Sequence, residues 1–485
     1  MTAIPVERIV SALKQAGVLV ELSGTLPEYV ADITDDSRHV AKKSLFVAVR
    51  GSERDGHDFL PQSAAAGASS AILEDSSRST LPSIVVREGR RAAAIAAAAA
   101  FDDPAKQLRL AAVTGTNGKT TTVGILRHLL DRSDARSASI GTLGVLLGSE
   151  GAPVGTGASL TTPGPVELQR ALRELVDRGV RTVAMELSSH SLDQRRAETL
   201  TFEAGVFTNL TRDHLDYHET MEAYLEAKSR LVSLLGPRGA AIVNLDDDIW
   251  QRLPPAHTVV TFGRNPEAMV RAESVLFHPR GSEWLLVADN QRHALQLPLI
   301  GDFNVSNALG AAAAAWHLGL SLSSIAAKLR TVPQVAGRLE VIHERPTVLR
   351  DYAHTPDALE RSLAAVRPFA RKKLIVIFGA GGDRDRGKRP LMGAIAEQGA
   401  DFAIVTSDNP RTEEPASILE DIERGMRQTN HELIEDRHDA IVRALGMASP
   451  EDVVLLAGKG HETYQVRGTT AHPFDEKAIV AELTA

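Results

Sequence analysis

A mostly apolar run at residues 108–113 leads directly into Thr114-Gly115-Thr116-Asn117-Gly118-Lys119-Thr120, and residues 121–130 then have helical spacing. Strand, glycine loop and helix is the order that a phosphate-binding loop requires. Backbone N–H groups of such a loop cradle phosphates, its lysine reaches the terminal phosphates, and its Ser/Thr hydroxyl holds Mg²⁺. The N-terminus of the helix adds favourable partial charge. The strict form of the motif starts on a glycine, where this chain has Val113. Further strands are expected at 182–187, 204–208 and 240–244, with helical stretches at 166–178 and 221–235 between them. This alternation predicts an α/β fold with a parallel sheet and helices on both faces.

The same rhythm returns after Arg338, with strands expected at 347–352, 373–378, 402–406 and 453–457. Each runs into a polar loop: 351–356, 379–390, 407–415 and 458–464. Open α/β sheets bind ligands beyond the carboxyl ends of their strands, so four charged loops there mark a site. The first hundred residues mix short apolar runs at 44–49, 70–73 and 83–86 with an alanine-rich helix near 90–101, which Asp102-Asp103-Pro104 breaks. Three α/β domains follow from this: a small N-terminal one over 1–104, a central P-loop NTPase-like one over 105–336, and a Rossmann-like one over 337–485. A chain of 485 residues fits three domains at roughly 150 residues each.

Charge and composition narrow the function. The chain has 54 basic against 62 acidic side chains, a formal charge of −8, which argues against a general nucleic-acid binder. No cysteine is present, so disulfides, thiolate metal sites and cysteine catalysis are excluded. The start of the chain lacks a basic stretch followed by an apolar core. The most apolar run, 92–101, is far shorter than the ~20 residues of a membrane span. A cytoplasmic monomer without nucleic-acid or membrane partners is expected.

Single residues say less. Glu186 ends a strand and is placed either to serve Mg²⁺ beside a phosphate loop or to cap a helix. His214, taken alone, reads as a buried structural histidine, and Lys228 as a solvated helix lysine.

Together the strings resemble the Mur ligase family of ATP-dependent amide-forming enzymes. The loop Thr114 to Thr121 matches that family's shortened form, so Val113 is not a departure. Met185-Glu186-Leu187-Ser188-Ser189-His190, residues 208–218, 301–307, 351–356 and Gly337-Arg338-Leu339-Glu340 match as well. Asp35-Asp36-Ser37-Arg38, Gly382-Asp383-Arg384-Asp385, Gly387-Lys388-Arg389-Pro390, Asp408-Asn409-Pro410-Arg411 and Gly458-Lys459-Gly460-His461-Glu462 resemble its diaminopimelate-adding branch. The resemblance spans about residues 32–466.

The resemblance implies addition of meso-2,6-diaminopimelate to UDP-N-acetylmuramoyl-L-alanyl-D-glutamate through an acyl phosphate, with ATP and Mg²⁺, in peptidoglycan precursor synthesis. It gives ATP to Thr114, Gly115, Thr116, Asn117, Gly118, Lys119, Thr120 and Thr121, with Asn304, Arg338 and Asp351. It gives the UDP-muramyl dipeptide to Ser37, Ser52, Glu53, Arg54, Thr161, Thr162, Ser188, Gln194 and Arg196, with Leu160 where the family often has asparagine. Diaminopimelate falls to Arg384, Asp408, Asn409, Pro410, Arg411, Gly458 and Glu462. The metal falls to Thr120, Glu186, His214 and Lys228, the last as a CO₂-derived carbamate, and Lys119, His214 and Lys228 are its catalytic residues. The alternatives are the L-lysine-adding ligase of the family, folylpolyglutamate synthase, and a phosphate-loop switch that hydrolyses nucleotide without either other substrate.

Overall fold

Arg109–Thr114 is buried from Leu110 onward, as a strand covered on both faces must be. The computed structural model describes residues 3–51, 54–155 and 160–484. The chain divides into two compact units, Met1–Arg271 with Asn307–Ile325, and Ala272–Ser306 with Ala326–Ala485.

In the first unit, neighbouring strands run in the order Ala152–Val154, Gly144–Leu147, Ser137–Gly141, Thr182–Glu186, Arg109–Thr114, Phe202–Phe207, Leu235–Asn244 and Thr258–Gly263. From Ser137–Gly141 to Thr258–Gly263 the pairing is parallel, and the two edge strands before it turn antiparallel. Leu110, Ala112, Val183 and Met185 share a core with Leu168, Leu172 and Leu175 of the helix Pro165–Asp177. Those helical leucines recur every three or four residues, so one stripe faces the sheet. Proline opens this helix, where its missing N–H is harmless.

A five-stranded sheet precedes it, ordered Leu19–Ser23, Ser83–Val86, Ser70–Leu73, Ser44–Val47 and Asp32–Thr34. The alanine-rich helix Gly89–Ala100 lays Ala92, Ala93, Ala96 and Ala97 against Ile9 and Leu13 of the helix Val6–Gln15. Such short side chains let two helix axes approach closely.

The second unit is built on a six-stranded sheet ordered Glu340–Glu344, Thr347–Asp351, Val453–Ala457, Leu374–Phe378, Phe402–Val405 and His431–Leu433. All pairs but the first are parallel. Alternate residues fill two cores. Val376, Phe378 and Leu455 pack with Leu359 and Leu363, while Ile375, Ile377 and Leu456 pack with Ile441 and Val480. A sheet covered on both faces is the Rossmann-like arrangement expected from the alternation. Among the described residues, no helix is long and apolar enough to cross a membrane.

One ion pair lies wholly inside this unit. Arg437 Nε is 2.8 Å from Glu476 Oε1, and both side chains are 0% exposed. Arg437 also donates to the Ala457 carbonyl at 2.8 Å. Arg437→Leu leaves the Glu476 carboxylate buried without its cation, which costs about 3–5 kcal/mol. Urea unfolding of the variant checks the value.

Candidate active site

The loop after Arg109–Thr114 is tied down from the neighbouring strand end. Thr116 N–H donates to the Asn209 carbonyl (2.8 Å), Asn117 N–H to Asn209 Oδ1 (2.9 Å), and Thr208 Oγ1 to the Asn117 carbonyl (2.7 Å). Thr114 Oγ1 donates to the Leu187 carbonyl at 2.8 Å. Gly118 has φ 83°, and a Cβ there would press on the Asn307 side chain, so any other residue is strained at this position. The helix Lys119–Leu130 starts directly behind it, with Thr121 buried in its first turn. Lys119 Nζ donates to the carbonyls of Gly115 (3.0 Å) and Thr116 (2.7 Å).

Thr120 Oγ1 lies 3.1 Å from Glu186 Oε2. Glu186 is 2% exposed, and Thr142 also holds it through its N–H (2.8 Å) and hydroxyl (3.1 Å). The carboxylate passes so close over Gly141 that a Cβ there would collide with it. Glu186 therefore does not cap a helix. It stands against the first helical hydroxyl of the phosphate loop.

Lys228 is 1% exposed, which overturns the solvated-lysine alternative. Its Nζ donates to the Gly115 carbonyl at 2.7 Å, the same oxygen that Lys119 uses, and lies 4.5 Å from the Tyr224 ring centre. Burial first, and then the charge of Lys119, hold its amine well below the ordinary lysine range, against the pull of Asp213. His214, by contrast, is 44% exposed and is not a buried structural residue. It sits 3.5 Å from Asp213, with its ring edge-on to His190 at 4.8 Å.

Thr162, Ser188, Gln194 and Arg196 form one bonded group beside Glu186. Thr162 Oγ1 donates to the Glu186 carbonyl (2.8 Å) and accepts from Ser188 N–H (3.1 Å). Arg196 donates to the Thr162 carbonyl (2.7 Å) and to Gln194 Oε1 (2.7 Å). Thr161 joins through Thr142 at 3.2 Å. Ser37 opens a 3₁₀ turn capped by Asp36. Burial raises the neighbouring Asp35 carboxyl, which Arg196 pulls the other way, so this turn belongs to the same region. Arg54 is exposed, and Ser52 and Glu53 lie outside the described residues.

In the second unit, Asn304 is 1% exposed and its Nδ2 donates to the Ile300 carbonyl at 2.7 Å. Asp351 accepts from Leu339 N–H (2.7 Å) and Ser362 Oγ (2.9 Å), and burial raises its carboxyl against the pull of Arg338. The Arg338 guanidinium lies 4.8 Å from the Tyr352 ring centre. Three loops converge beyond the strand ends. Arg411 Nη1 donates to the Gly382 carbonyl (2.8 Å), and Asn409 Nδ2 to Glu462 Oε2 (2.9 Å). Gly458 N–H donates to the Asp351 carbonyl (3.0 Å), and Glu413 N–H to that of Pro410 (3.1 Å). Asp408 is 8% exposed, and its Oδ2 has no hydrogen-bond partner among the described residues, whereas Arg384 is exposed.

Sequence reasoning left Thr142, Asn209 and Tyr224 without a role, although Tyr224 also meets Thr116 Oγ1 at 3.2 Å. Asn209 stands inside a matched string, and that was its only signal.

Residues 113–315 match the Mur ligase middle domain, and residues 337–460 match the Mur ligase glutamate ligase domain. The chain is 43% identical over 468 residues to the UDP-N-acetylmuramoyl-L-alanyl-D-glutamate–2,6-diaminopimelate ligase of Geobacillus kaustophilus, covering 94% of this chain and 95% of that one. It is 43% identical over 490 residues to the protein of the same name from Geobacter metallireducens, covering 95% of each. A solved structure bearing that name aligns with TM-score 0.66 and 33% identity over 96% of both chains. Similarity of this extent, over a phosphate loop with this geometry, shows that the chain belongs to the Mur ligase family of ATP-dependent ligases.

Proposed function

We propose that this ligase adds meso-2,6-diaminopimelate to the D-glutamyl γ-carboxylate of UDP-N-acetylmuramoyl-L-alanyl-D-glutamate, consuming ATP. The observation that carries this reading is 43% identity, over nearly the whole of both chains, to relatives of that name. On this reading 1–104 serves the uridine end, 105–336 serves ATP and 337–485 serves the amino acid.

A carboxylate and an amine do not condense in water without activation. The γ-carboxylate oxygen attacks the terminal phosphorus of ATP, the bond to the ADP oxygen breaks, and an acyl phosphate forms. The amine nitrogen then attacks the acyl carbon, loses a proton, and phosphate leaves. Both steps gather anionic groups, and Lys119 is the cation of the phosphate loop that offsets them. Asn304, Arg338 and Asp351 are assigned to the nucleotide. Ser37, Arg54, Thr161, Thr162, Ser188, Gln194 and Arg196 are assigned to the muramyl dipeptide.

The donors near Thr120 fit Mg²⁺, because a buried carboxylate and a hydroxyl 3.1 Å apart are the hard oxygens this ion prefers. Glu186, Thr120 and His214 would hold it, and bound there it would neutralise charge on the transferring phosphate. Lys228 joins them as a carbamate. CO₂ reacts only with a neutral amine, and burial beside Lys119 favours that form.

Phosphate release by the purified protein with ATP, Mg²⁺ and UDP-muramyl dipeptide tests the reading. Meso-diaminopimelate should stimulate release strongly, and L-lysine and L-glutamate should not. Stimulation by lysine alone would favour the lysine-adding alternative, and stimulation by none would sink the ligase reading.

Diaminopimelate differs from lysine by a carboxylate at its far end, and a planar guanidinium reads such a group with two parallel bonds. Arg411 is held for this. Its N–H donates to the Val466 carbonyl (3.1 Å), and its own carbonyl accepts from Gly468 N–H (2.7 Å). Arg411→Ala should raise the KM for diaminopimelate about 10–100-fold, as an unpaired carboxylate demands. An unchanged preference over lysine would remove Arg411 from that role.

A further inference from the structure

Lys459 lies in the loop after Val453–Ala457, between Gly458 and Gly460, and its side chain is 0% exposed. Its Nζ donates to Asn409 Oδ1 at 3.1 Å and to Glu462 Oε2 at 3.1 Å. A fully buried ammonium is retained only against strong partners, and here the partners are two residues assigned to the amino-acid pocket.

Those bonds determine what the partners can offer. Asn409 Oδ1 accepts from Lys459 and also from Val466 N–H at 2.9 Å. Two donors on one oxygen decide which end of the amide is oxygen. Nδ2 must then turn the other way, where it donates to Glu462 Oε2 at 2.9 Å. Glu462 Oε2 is thereby occupied twice, while its Oε1 has no partner among the described residues. What remains is the second N–H of Asn409 beside the free oxygen of Glu462. A donor next to an anionic acceptor complements the carboxylate and ammonium of an amino-acid head group.

We infer that Lys459 is a positioning residue, which locks Asn409 and Glu462 as a pair to receive the head group of the incoming amino acid. The inference rests on the amino-acid pocket proposed above. Without Lys459 the Asn409 amide keeps one donor on Oδ1 and can turn over, and Glu462 loses the cation that holds it.

Lys459→Met keeps the length and apolar stem of the side chain and removes its charge. The KM for diaminopimelate should rise about tenfold or more, with the KM values for ATP and UDP-muramyl dipeptide unchanged. Glu462→Gln should do the same, and the double variant should lose less than the product of the two single effects, because the side chains share partners. Lys459→Arg, which keeps the charge, should recover part of the loss. If Lys459→Met does not fold, Lys459→Gln takes its place in the same three measurements. An unchanged KM for diaminopimelate, an equal rise in all three KM values, or multiplicative effects in the double variant would each overturn the inference. The wild-type protein is the separate control. If it shows no diaminopimelate-dependent phosphate release, the functional reading fails, not the role of Lys459.

Discussion

Lys119→Ala lowers the rate of ligation about 10²–10³-fold, the usual loss when one charge aimed at a transferring group is removed. The variant should unfold at the wild-type temperature. Alanine is the best helix former and position 119 opens a helix, while the Gly115 carbonyl keeps its bond from Lys228, so loss of the Lys119 bonds leaves the local fold in place. The lysine now rests on the Gly115 and Thr116 carbonyls, within its own loop, and reaches a phosphate by exchanging those partners. Diaminopimelate-dependent phosphate release and a thermal melt, measured on the same preparation, check both halves. Activity within a few-fold of wild type would show that this loop is not the phosphate site.

Lys228→Ala should lose activity on the same scale, about 10²-fold or more, and the pattern of replacements identifies the reason. A carbamate is anionic, so Lys228→Glu should retain more activity than Lys228→Arg, although arginine is nearer in length and charge to lysine. A short carboxylic acid added to Lys228→Ala should restore part of the rate. Restoration also separates the metal role from the bond to the Gly115 carbonyl, since a carboxylate cannot donate that bond. Near-full activity in Lys228→Arg would mean that a cation suffices there, and the carbamate would have to be abandoned.

The buried strands were legible because they are short, nearly continuous apolar runs ending at polar or glycine residues. Thr182–Glu186 and Val453–Ala457 fall within a residue of their expected limits. The antiparallel pair Gly281–Ala288 and Gln291–Leu297 was not read. Its one apolar run, residues 284–288, is short, and exposed Glu283, Gln291 and Arg292 interrupt the pattern on either side of it. Its signal was the turn: Asp289 and Asn290 have φ 45° and 58°, the two positive values of a tight hairpin turn that these residue types favour. Within the site, the glycine loop and Glu186 were legible from their place at strand ends. The burial of Lys228 was not. Glu226 and Ser229 around it look solvated, and only the tertiary position of the helix Met221–Ser229 puts its amine against the Gly115 carbonyl.

The pairing of Thr182–Glu186 with Arg109–Thr114 sets Glu186 directly beside Val113. Backbone ladder bonds, not the intervening chain, therefore act as the ruler for the Thr120–Glu186 distance. Thr142 and Thr162, on the chain between the two strands, then add their own bonds to Glu186 on top of that ruler. One residue inserted within Thr182–Glu186 turns the carboxylate to the opposite side of the sheet, because strand side chains alternate. A change of length inside either strand therefore breaks the site even where the fold survives it.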